Sequence, residues 1–142
     1  MGEVVVKTKL TNFVDDGMAK RRKLPRSKVR SFEVDGIADC GAVTLTMPAN
    51  LARRLGLVRT GSEFVVYANG ERDEVPVVEG VIIEIQGRRS ISRALVLGEE
   101  VLIGQTVLEE MDYLVDSRNQ RLIPAHAEGQ VAMVRRRKAT IA

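Results

Sequence analysis

Residues 37–48 read IADCGAVTLTMP. Ile37-Ala38 delivers the chain into Asp39-Cys40-Gly41, and Val43, Leu45 and Met47 then alternate with Thr44 and Thr46. A period of two marks a half-buried strand, so the stretch predicts strand, tight loop, strand, with a carboxylate in the loop. The approach alternates as well, from Ser31 through Phe32 and Val34 to Ala38. On the far side Pro48 opens PANLARRLGL, where Leu51, Leu55 and Leu57 fit a short amphipathic helix ended by Gly56.

Working outward, strand signals dominate. Val4 to Leu10 is β-branched and partly alternating, a first strand. Residues 11–30 break the pattern and read as a basic excursion on the surface. There Asp15 or Asp16 is expected to cap a short helix that stops before Pro25. Glu63–Ala68 and Arg72–Val78 flank Asn69-Gly70, a strong hairpin signal. Val81–Gln86 and Ile91–Leu97 form a second hairpin through Gly87-Arg88-Arg89. Val101-Leu102-Ile103-Gly104 is an apolar run ending in glycine, and Thr106 with Glu109 has the spacing of a capping box for a helix over TVLEEMDYL. Leu114–Asp116 and Arg121–Ile123 surround a tight turn. From Ala125 the chain reads as a basic tail (125–142), with Val131–Val134 as one further candidate strand. The expectation is a single all-β domain spanning 1–142. Six to eight short strands close into a barrel-like sheet, with one or two short helices.

Composition narrows the function classes. The chain has 142 residues, 44% hydrophobic and 29% charged, enough for one core. Apolar runs are too short to span a bilayer, and MGEVVVKTKL lacks the layout of a signal peptide. A single cysteine precludes an intrachain disulfide, and a cytoplasmic protein without membrane association is expected. Net charge is +3, and the cations cluster at 20–30 and 135–138. With three Phe, two Tyr and no Trp, base-stacking platforms are scarce, so nucleic acid is not the expected partner.

One Cys and one His far apart do not make a metal site, and no glycine-rich loop opens a helix to cradle phosphate. No metal and no cofactor are therefore expected. A Cys40–His126 dyad is formally available, but nothing in the sequence orients the imidazole, and Cys40 reads more simply as a small hydrophobe. Asp39 stands apart from the other acids because apolar strands flank it on both sides. One carboxylate cannot act as acid and base in a single step, whereas a symmetric dimer supplies a second.

This combination resembles the retropepsin-like aspartic proteases, the single-domain relatives of pepsin, in their bacterial form. Ile37-Ala38-Asp39-Cys40-Gly41-Ala42 is similar to the family's apolar strand followed by Asp-Thr/Ser-Gly-Ala. Val101-Leu102-Ile103-Gly104 with Gln105–Glu109 is similar to its second hallmark, apolar residues, Gly and a helix. VIIEIQGRRSISRALVLGEE, PANLARRLGL and DYLVDSRNQRLIP fall in the family's order, and the likeness covers about residues 30–124.

The resemblance implies an all-β fold, a homodimer, and a hydrolase that cleaves peptide bonds of a peptide or protein substrate. In that reading two Asp39 carboxylates share one proton: the ionised one activates water and the protonated one polarises the scissile carbonyl. Cys40, Gly41 and Ala42 complete the active-site loop, Ile103 and Gly104 support it, and Asn69-Gly70 marks the flap. The departure is Cys40, where the family has a hydroxyl that bonds across the dimer axis. A thiol is a weak donor and acceptor. The rival reading is the same fold kept as a weak or inactive dimerisation or peptide-binding module.

Overall fold

The computed structural model describes residues 3–140, and the expectations for residues 1–2 and 141–142 lie outside it. The chain opens with β1 (Val4–Asn12) and α1 (Phe13–Lys20), then a 3-10 turn (Arg26–Lys28) and β2 (Ser31–Ala38). After the Asp39 loop come β3 (Leu45–Met47), α2 (Ala49–Arg54), β4 (Val58–Val66), β5 (Arg72–Ile85) and β6 (Arg88–Val96). The last third holds β7 (Val101–Ile103), α3 (Gln105–Glu110) and a hairpin of β8 (Tyr113–Asp116) and β9 (Arg121–Pro124).

Seven strands hydrogen-bond in the order β1-β2-β7-β3-β6-β5-β4. Lys9–Asn12 of β1 also pair with Val81–Glu84 of β5, which closes six strands into a barrel and leaves β4 outside on β5. Most pairings are antiparallel, but β2 runs parallel to β7 and β3 parallel to β6. The alternation in β1 puts Val4, Val6 and Thr8 inside and Val5, Lys7 and Lys9 outside. Leu10, Leu45, Met47, Leu55, Ile83 and Ile103 are fully buried in the barrel core. Close strand approach needs Gly36: a Cβ there would lie 2.6 Å from Thr8 Oγ1 and 2.7 Å from Ile103 Cδ1.

Among the described residues nine strands form rather than six to eight, together with three α-helices and the 3-10 turn rather than one or two helices. Residues 72–85 are one strand whose first half pairs with β4 and whose second half completes the barrel. A shift of register between Val78 and Val81 lets it serve both.

Residues 11–30 run over the surface and are tied to the barrel by side chains. Thr11 and Asn12 end β1, and Asn12, rather than Asp15 or Asp16, caps α1 by accepting from the Asp15 amide at 2.9 Å. The Asn12 amide group also donates to Leu55 O at 2.8 Å, tying α1 to the loop after α2. Asp15 and Asp16 occupy the first helical turn, where the helix dipole favours acids. Both are buried: Asp15 receives the Arg30 side chain from Nε (2.8 Å) and Nη2 (2.9 Å), and Asp16 receives Arg26 Nη1 at 2.6 Å. Three cations of the basic cluster, Lys20, Arg26 and Arg30, thus stay exposed while pairing with buried carboxylates.

The hydrogen bonds from Arg30 hold the Asp15 carboxyl below the usual carboxylate range, against burial, which pushes it up. A carboxyl lowered in the folded state stabilises fully above its unfolded pKa, and that contribution fades as pH falls below about 4. Asp15→Asn is therefore expected to cost about 1–2 kcal/mol at neutral pH, because Arg30 stays half in solvent, and much less under acid conditions. Urea melts at the two pH values measure the difference.

The expected tail is also anchored through residue 131, where Val131 N donates to Asp112 Oδ2 at 3.2 Å. Ala125 N donates to Asp112 O at 2.8 Å, Arg88 Nη2 donates to His126 O at 2.6 Å, and the Gln130 side chain hydrogen-bonds both the N–H and the C=O of Arg89. Val131–Val134 do not form a strand, and Met133 and Val134 are exposed. Among the described residues no helix is long and apolar enough to cross a membrane.

Candidate active site

Asp39 emerges where β2 and β7 part. Their parallel pairing ends at Ala38 and Ile103, and the Asp39 amide adds one more bond to Ile103 O at 2.9 Å. The chain then folds back at once. Gly41 N donates to Asp39 Oδ1 at 2.8 Å and Ala42 N donates to Asp39 O at 3.1 Å. Side chain and backbone of Asp39 thus build their own turn. The carboxylate is half-buried, while Cys40, Gly41 and Val43 are exposed. A Cβ on Gly41 would stand 3.1 Å from Asp39 Oδ1, so glycine leaves the carboxylate uncrowded.

Behind the loop lies Gly104. A Cβ at that position would meet backbone only: Thr44 N at 2.5 Å, Ala42 O at 2.7 Å and Thr44 O. Glycine there lets the start of α3 press flat against the loop. The helix has no side-chain cap, and its first amides reach outside it: Gln105 N donates to Ala42 O at 2.8 Å and Thr106 N to Val43 O at 3.0 Å. Thr106 Oγ1 donates to Val43 O at 2.6 Å, and Glu109 accepts from Gln105 Nε2 at 2.7 Å. The expected Thr106–Glu109 capping box is therefore not made. The orphan amides of the helix end hold the Asp39 loop instead.

β4 and the first half of β5 form an arm over this loop. Val75, Val77 and Leu95 form a small second core at its base, with Val65 and Leu97 against it. Asn69 and Gly70 shape the tip: Gly70 has φ +85° and donates to Tyr67 O at 2.9 Å, and Asn69 Oδ1 accepts from Glu71 N at 2.9 Å. Between arm and loop runs a cleft of about 570 Å³. Asp39, Gly41, Ala42 and Val43 form one wall, Phe64–Ala68 the other, and Leu95, Leu97 and Leu102 lie between them. Asn69 and Gly70 set the turn but do not line the cleft.

The structure thus gathers Asp39, Gly41, Ala42, Ile103 and Gly104 at one point, with Cys40 on the same loop. The sequence reading passed over the apolar lining of Phe64, Val65 and Leu95. It also passed over the Glu63–Arg93 ion pair, both of whose residues border the cleft. Alternation through Glu63–Val66 carried the signal, since it turns one face of the arm toward the loop.

The Cys40–His126 dyad finds no support. His126 Nδ1 lies 2.9 Å from Asp112 Oδ2, and Arg88 joins the same carboxylate at 3.3 Å. Among the described residues no group of three His, Cys, Asp or Glu side chains stands ready to hold a metal ion. No protein-family model matches the chain, and no curated protein matches it significantly.

Proposed function

We propose that this chain is one subunit of a homodimeric aspartic endopeptidase of the retropepsin type. One observation carries the reading. A half-buried carboxylate in a tight Asp-Cys-Gly turn is backed by a glycine-fronted helix and faced by a hairpin arm across an apolar cleft. The exposed Cys40-Gly41 and Val43 beside Asp39 offer a surface for a second copy, which would bring a second carboxylate to the first.

The pair would act as a unit with one shared proton. The ionised Asp39 draws a proton from a bridging water as that water attacks the peptide carbonyl, and the protonated Asp39 donates to the carbonyl oxygen. An extended substrate would lie along the arm, with apolar side chains against Phe64, Val65 and Leu95 and the arm excluding water.

Incubation with a peptide library from acidic to neutral pH tests this. The reading predicts cleavage within apolar segments. Binding without cleavage at every pH favours the rival, a non-catalytic peptide-binding module. The observation behind the rival is Cys40, an exposed thiol where the family places a hydroxyl. Cys40→Thr should supply the missing hydrogen bond, worth about 1 kcal/mol. That tightens dimerisation about fivefold and raises cleavage in step, which sedimentation and a peptide assay would register together.

A further inference from the structure

At the start of β2, whose other end leads into the Asp39 loop, a pocket of about 390 Å³ lies between α1 and strands β1, β2 and β5, and it shares no lining residue with the Asp39 cleft. We propose that this pocket binds a phosphate or pyrophosphate anion.

Strand register builds its floor. Lys9 of β1 stands opposite Glu84 of β5, and Glu84 stands opposite Arg89 of β6. Asp16 and Lys20 of α1 and Arg26 of the 3-10 turn form the wall. Four cations therefore face two carboxylates, an excess of two positive charges in one concavity. Three of the cations converge on Asp16. Arg26 Nη1 at 2.6 Å and Lys20 Nζ at 2.9 Å already occupy its oxygens, and Arg89 Nη2 stands off at 3.8 Å. Lys9 Nζ is 3.9 Å from Glu84. Neither of these two distances is a hydrogen bond, so donors of Arg89 and Lys9 have no acceptor there.

The hydroxyls of Thr11 and Ser31 add a third kind of donor. They lie 2.9 Å apart and share one hydrogen bond, which leaves one of their two protons for another acceptor. A guanidinium fork, an ammonium and a hydroxyl around excess charge of two suit a phosphate dianion, whose oxygens accept from all three.

Titration calorimetry of the full chain with sodium pyrophosphate in chloride buffer tests the site. Saturable one-to-one binding is expected. Arg89→Met and Lys9→Met, both on exposed strand positions, should each weaken it about tenfold. Asp16→Asn removes the internal competitor and should strengthen binding. If that variant fails to fold, Glu84→Gln asks the same question from the other carboxylate. Absence of binding at millimolar pyrophosphate, or binding unchanged in Arg89→Met, overturns the site. So does tight binding of single-stranded RNA that ignores Arg89→Met while pyrophosphate is not bound, since that assigns the charge to the exposed Arg21, Arg22 and Lys23 outside the pocket.

Discussion

Asp39→Asn is expected to abolish peptide cleavage, by at least roughly a thousandfold, while leaving the fold and peptide binding intact. The substitution is nearly isosteric. An asparagine carbonyl oxygen still accepts from Gly41 N, so the turn that now closes at 2.8 Å remains closed. What disappears is the ability to take and return a proton. The effect should fall on kcat, because the arm and the apolar lining proposed to hold substrate are untouched. Retained activity in a correctly folded Asp39→Asn protein would move the chemistry elsewhere, and no other acid borders that cleft except Glu63, which is paired with Arg93.

Gly104→Ala should be the most damaging single methyl group in the site. At Gly104 the backbone φ is −82°, which alanine adopts freely, so the penalty is steric rather than conformational. The new Cβ collides with Thr44 N, Thr44 O and Ala42 O, none of which belongs to a flexible side chain. Relief requires α3 to retreat from the loop. That would break the bonds from Gln105 N to Ala42 O and from Thr106 N to Val43 O. Overpacking of this kind costs about 3 kcal/mol, a fall in melting temperature of roughly 10 °C. Activity should fall further than stability, because the loop that α3 would release carries Asp39. Urea melts and cleavage rates on one preparation separate the two effects. Gly98→Ala is a useful contrast, since its Cβ would meet nothing within 4 Å and only its φ of +71° opposes the change.

The parts that were legible in the sequence are those where one residue's environment follows from its neighbours in the chain. Alternation located β1, β2, β6 and both halves of β5, and Asn69-Gly70 located the arm's tip. The approach of the Asp39 loop to Ile103-Gly104 was legible only through a resemblance, because no local pattern says that Asp39 and Ile103, 64 positions apart, touch. What escaped depended on tertiary competition. Thr106 has the sequence of a cap, yet its hydroxyl finds Val43 O, supplied by the loop in front of the helix. Asp15 and Asp16 look like caps until Asn12, held by the end of β1, takes the position. His126 looked like a tail residue because nothing near it in sequence announces Asp112, whose positive φ of +62° turns its carboxylate under Arg88 and the imidazole.

The central claim is that each active site needs one Asp39 from each of two chains. Refolding wild-type and Asp39→Asn subunits together at varied ratios tests it directly, with cleavage measured at constant total protein. If both carboxylates are required, only wild-type pairs cleave, and activity follows the square of the wild-type fraction, about one quarter at equal mixing. If a single chain suffices, activity falls in proportion, to about one half at equal mixing, and the two-carboxylate account is wrong.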